Sequence, residues 1–138
     1  MILSPFILFW LVYTLQILVT YPSFKSACWT KSSKGYAYYG LHHLFDVFLF
    51  WSPLFIQGPQ EAAIHLGLLA LVLVHWLAND NQCVATQIMN EACGIPRDEW
   101  LDSLKNRLGL RASVGEYFLF VWGALVAAYD IYVIARAR

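Results

Sequence analysis

Residues 41–78 read LHHLFDVFLFWSPLFIQGPQEAAIHLGLLALVLVHWLA. Two apolar runs meet at Gln57-Gly58-Pro59-Gln60, and Gly-Pro is a strong turn signal, so the runs are expected to fold back as a helical hairpin. Four histidines and, apart from Glu61 beside the turn, one carboxylate lie within them: His42, His43, His65, His75 and Asp46. Apolar runs of this length point to a bilayer. Ionisable side chains there are expensive, so each needs a partner or a task.

The whole composition agrees. Of 138 residues, 59% are hydrophobic and 13% are charged, against about 25% charged for a soluble domain. A soluble chain this small has too little interior for so much apolar side chain, so the surplus needs lipid. The formal net charge is zero and no Lys/Arg run occurs, which excludes a nucleic-acid partner from the reading. The cysteines are Cys28, Cys83 and Cys93, without a C-x-x-C pair, so neither a thioredoxin-type nor a zinc-ribbon reading has support.

Outward from the central stretch, residues 1–21 carry no charged side chain and suffice to cross the hydrocarbon core. A cleaved signal peptide is the rival reading. It lacks a basic n-region, and the apolar run is too long for it. A second span is expected over 36–56, entered through Tyr36, Tyr38 and Tyr39 as an aromatic belt and disturbed near its end by Pro53. A third covers 62–78 and a fourth 117–135, with Asp130 inside it. The polar segment 79–116 begins with a short helix ending at Gly94. An amphipathic surface helix follows over 96–108, opened by Pro96 and closed by Gly109. The expected fold is all-α: a single membrane-embedded bundle over 1–138, with four transmembrane helices and one amphipathic surface helix.

Four spans put both termini on one side and the loops 22–35 and 79–116 on the other. These loops hold Lys25, Lys31, Lys34, Arg97, Lys105, Arg107 and Arg111, against Arg136 and Arg138 on the terminal side. The positive-inside rule then places the long loops on the cytoplasmic-equivalent side. All cysteines would lie in that reducing compartment, so no structural disulfide is expected.

Depth follows from about 1.5 Å of rise per residue. His42, His43, Asp46 and His75 share one layer near the basic loops, with Cys83 just above it. His65 and Asp130 form a second layer near the opposite side. Asp46 lies four residues after His42 and three after His43, so either imidazole can meet it on one helix face. A carboxylate that holds one ring nitrogen leaves the other free as ligand or base. His43 and His75, with Asp46 and His42, are therefore the candidate cofactor-binding residues, for haem b or a metal ion. The alternative is a polar cluster that fixes helix register. Cys83 opens a helix, where the dipole favours a thiolate, and is the best nucleophile in the chain. The plainer reading of Cys83 is a small packed residue.

His43, His65, Cys83, Thr86 and Asn90 resemble an uncharacterised family of small bacterial multi-span membrane proteins marked by a Cys-Pro-Leu-Thr segment. Val84-Ala85 stands here in place of Pro-Leu. That resemblance implies a membrane bundle and no particular chemistry. Gly40-Leu41-His42-His43-Leu44-Phe45-Asp46 is also similar to a Gly-x-Arg-His-Leu-x-Trp-Asp segment in the cytochrome b anchor subunit of succinate dehydrogenase. The spacing is one residue short, His42 replaces the arginine, and Tyr36 stands at the haem-ligand histidine. This second resemblance implies a haem-binding anchor.

No nucleophile–base pair, phosphate loop or complete metal motif is visible in the linear sequence. The expected function is a non-catalytic structural or interaction subunit of a membrane assembly. Its partners would be the lipid bilayer and other membrane subunits or further copies of itself. A haem- or metal-binding redox subunit and a small transporter or channel are the alternatives.

Overall fold

The structure is a computed structural model that describes residues 4–79, 82–96 and 112–137, the side chains of 112–119 excepted. Regular structure in the described residues is helical throughout: α1 (Pro5–Ala27), α2 (Ser33–Phe50), a single 3₁₀ turn (Ser52–Leu54), α3 (Pro59–Ala78), α4 (Val84–Cys93) and α5 (Ala112–Arg136). The amphipathic helix expected over 96–108 lies, beyond Pro96, outside the described residues.

Local chemistry sets most of the ends. The Ser4 hydroxyl accepts the Ile7 N–H, and Pro5 occupies the first helical position, where it needs no donor. The Ser32 hydroxyl accepts the Gly35 N–H at 3.3 Å and starts α2 three residues earlier than its aromatic belt suggested. Pro59 opens α3, and Glu61 accepts the Gly58 N–H at 3.3 Å. Cys83 is the N-cap of α4, and Gly94 ends that helix in the left-handed region at φ 65°, where a residue without Cβ is unstrained. One end departs from expectation. Pro22 does not stop α1, which runs on to Ala27. Packing outweighs the breaker there: the buried Phe24 ring stacks on Tyr39 at a centroid distance of 4.2 Å.

The chain does turn at Gly58-Pro59, but the two arms of the expected hairpin hardly touch. α2 packs on α4 and α1, whereas α3 packs on α5. Hydrogen bonds tie α5 back to the end of α2: Trp122 Nε1 donates to the Phe50 carbonyl at 2.8 Å, and the Tyr129 hydroxyl to the Ile56 carbonyl at 3.1 Å.

Burial is inverted relative to a soluble protein. Leu15, Leu71 and Ile131 are 54%, 66% and 56% exposed, while Ser23, Ser52, His65 and Asp130 are fully buried. An apolar exterior around polar interior contacts suits lipid. Two helices, Pro5–Ala27 and Pro59–Ala78, are long and apolar enough to cross a membrane.

One expectation is corrected. Cys28, at the C-cap of α1, and Cys93, the last residue of α4, form a disulfide across 65 residues of sequence. The contrary expectation rested on a compartment inferred from loop charge, and charge carries no information about which sulfurs meet. The bridge closes a buried cluster with Phe24, Tyr39, Met89 and Ile95. Gly35 makes room for it, because a Cβ there would overlap Cys93 Sγ. The Thr30 hydroxyl donates to the Ala92 carbonyl at 2.7 Å and secures the same junction.

Candidate functional site

Helix α2 carries His42, His43 and Asp46 within five residues, and their partners separate the roles of the two histidines. His42 Nε2 lies 3.2 Å from Asp46 Oδ2, one turn along the same helix. The carboxylate fixes the tautomer: Nε2–H donates to Asp46, and Nδ1 is left as an acceptor. On that side Thr86 Oγ1 stands 3.4 Å from Nδ1, and the Cys83 thiol hydrogen-bonds the same imidazole. A thiol, an imidazole and a carboxylate thus follow one another as nucleophile, base and orienting group.

Cys83 is placed to ionise. Burial alone would raise its thiol. The hydrogen bond from His42, the N–H groups of Thr86 and Ala85 in the first turn of α4, and the charge of His42 together outweigh that, and hold it below the ordinary thiol value. The two N–H groups stand at a helix start, where no intrahelical acceptor meets them, and they favour a negative charge on the nearby sulfur.

His43 serves a different network. The Gln16 amide of α1 lies 2.8 Å from its Nδ1 and donates to Asp46 Oδ2 at 3.4 Å. Because Asp46 accepts only, the amide nitrogen must face this way, so His43 Nδ1 accepts. Its Nε2–H then donates to Thr20 Oγ1 at 3.0 Å, and Thr20 passes its own proton to the Gln16 carbonyl at 2.9 Å. Tyr39 completes the chain by donating to Thr20 at 2.5 Å. His43 is neutral and buried, and both of its ring nitrogens are occupied.

His75 lies elsewhere. With His42 and Cys83 it lines an apolar groove of about 850 Å³ between α1, α2 and α3. The expected His43–His75 ligand pair is therefore divided between two environments. Among the described residues no group of three or more His, Cys, Asp or Glu is arranged to hold a metal ion. With both His43 nitrogens engaged, the residues present do not fit axial ligation of a haem.

In the second layer the structure joins His65 Nδ1 to Asp130 Oδ2 at 2.7 Å, both fully buried. His65 Nε2 donates to the Phe48 carbonyl at 3.2 Å.

Sequence reasoning brought Cys83 close to the first layer but left it unpartnered, named Thr86 without a partner, and passed over Gln16 and Thr20. The signal for the last two was present. They are spaced i,i+4 in a span without charge, so they share one face and require a polar neighbour. No family model, curated protein or solved structure matches this chain.

Proposed function

We propose that this chain is a four-span membrane protein whose working centre is the Cys83–His42–Asp46 triad, acting by covalent thiol catalysis on an acyl carbon at the membrane surface. The observation that carries the reading is the imidazole of His42, held between a carboxylate and a thiol. The non-catalytic alternative drew its support from the lack of a nucleophile–base pair, and these three residues supply one. Both ring nitrogens of His43 and of His65 are engaged by neighbours on other helices. They act as interhelical ties.

The four spans correspond to α1, α2 with its 3₁₀ turn, α3 and α5. Their exposed apolar side chains support this. For orientation, the Cys28–Cys93 bridge and the loop charges disagree. Disulfides persist in oxidising compartments, whereas the positive-inside rule is a bias. We therefore orient the bridged end, with Cys83, toward the oxidising side. A cysteine left over beside a complete disulfide there reads as a reactive thiol.

The test is the rate of Cys83 alkylation by iodoacetamide as a function of pH, with the protein in detergent. The thiolate is the reacting species. Wild-type protein should reach its plateau at lower pH than the His42→Ala variant, whose profile moves toward that of a free thiol. Superimposable profiles would remove the triad from consideration.

A further inference from the structure

The groove beside the triad identifies what the thiol acts upon. It follows α2 from Tyr38 to Phe48, ten residues of rise or about 15 Å. That is about half of the 30 Å hydrocarbon core, the depth of one leaflet. Its walls are apolar: Phe45 from α2, and Leu68 and Leu71 from α3. Its histidines and its thiol, His42, His75 and Cys83, stand at the loop end. Leu41 and Phe45 are 55% and 43% exposed on its rim, so it opens sideways to lipid. A volume of about 850 Å³ falls in the range of ligand sites, roughly 300–1,000 Å³.

We propose, building on the thiol reading above, that the groove seats one acyl chain of a membrane glycerolipid, with its ester carbonyl at Cys83. An ester with a leaflet-length tail is the electrophile that fits both ends of this site. A soluble substrate would leave the groove unfilled. The Cys83 thiol gives its proton to His42 Nδ1, and the sulfur attacks the ester carbonyl carbon. The C–S bond forms as the C–O bond to glycerol breaks, and the leaving oxygen takes the proton from His42. The lysolipid departs and the acyl group stays as a thioester on Cys83. Water then gives a proton to His42 and attacks the thioester, which releases the fatty acid and returns the thiol. Asp46 holds Nε2–H throughout, as a positioning residue.

The experiment uses the full-length protein in phosphatidylcholine vesicles whose lipid carries a long acyl chain with a terminal alkyne. After coupling to a fluorophore, wild-type protein should carry label at Cys83 that neutral hydroxylamine removes. Cys83→Ala should carry none, and His42→Ala about a hundredfold less, the usual scale of a lost general base. Leu68→Trp, which fills the groove, should lose the acyl label while its iodoacetamide reactivity stays that of wild type. A plateau at the same low pH as wild type also shows that the variant is folded, because a free thiol reaches it only at higher pH. Three results would overturn the proposal and leave the thiol reading intact: full label in Leu68→Trp, equal labelling by a water-soluble short-chain ester, or labelling only by an acyl thioester added from solution. An unreactive thiol toward both lipid and iodoacetamide would overturn both.

Discussion

At the scale of the residue, the informative contrast is between His42 and His43. They are neighbours in sequence with the same side chain, and both lie within 4 Å of Asp46 Oδ2, at 3.2 and 3.7 Å. Their partners separate them. His43 meets an amide and a hydroxyl that occupy both nitrogens, while His42 has a thiol to deprotonate. Asp46→Asn should therefore act through His42. The amide fills the same space but offers His42 no negative charge, so the imidazolium that forms as Cys83 ionises loses its stabilisation. The Cys83 thiol should rise, and its alkylation at neutral pH should slow by roughly tenfold per unit of that rise. Reactivity should return as pH increases. Gln16→Met removes a donor from His43 and Asp46 instead, and should reduce stability by about 1–3 kcal/mol with the alkylation profile displaced less. A larger displacement in Gln16→Met than in Asp46→Asn would mean that His43 is the base.

Two joints between elements can be taken apart separately. The first is the contact of α4 with the start of α2, where Gly35 faces Cys93 Sγ. Gly35→Ala puts a methyl group where the sulfur lies, so the bridge should form incompletely. Mass measurement after alkylation without reductant should then find three modified cysteines in a fraction of the molecules, against one in wild type. The second joint is α3 against α5 through His65 and Asp130. Removing either partner leaves the other buried without its proton partner, and should cost roughly 3–5 kcal/mol. Replacing both by leucine removes the buried polar groups together. The doubly substituted protein should melt in detergent at a higher temperature than either single variant. Additive losses would show that the pair is not coupled.

For the molecule as a whole, orientation is the quantity most open to a direct test. A maleimide that cannot cross membranes should reach Cys83 from the oxidising side only. After mild reduction, Cys28 and Cys93 should become reactive from that same side. Labelling of Cys83 from the reducing side would restore the arrangement that loop charge favours. Loss of the bridge itself, in Cys28→Ser, should lower stability by at most about 4 kcal/mol, the chain-entropy value for a loop of 65 residues.

What the linear sequence determined was everything that depends on near neighbours. Apolar runs interrupted by Gly58-Pro59 specify helices and a turn, because a helix and its caps are built from contacts within four residues. Gly94 marks the end of α4 for the same reason, whereas the helix starts after Cys83, later than a cap at Asn79 or Asp80 would have it. Counting rise along two spans was enough to bring His65 and Asp130 to one depth. Depth is half of a position, and the other half is direction around the helix axis. Only the tertiary structure decided that α3 packs on α5 rather than on α2, that His43 faces Gln16 and Thr20 on α1, and that Cys28 meets Cys93. Each of these depends on which remote face fits best, and no local period encodes that. The Cys83–His42 contact is of this kind: two residues 41 apart in the chain meet because α4 folds back onto α2.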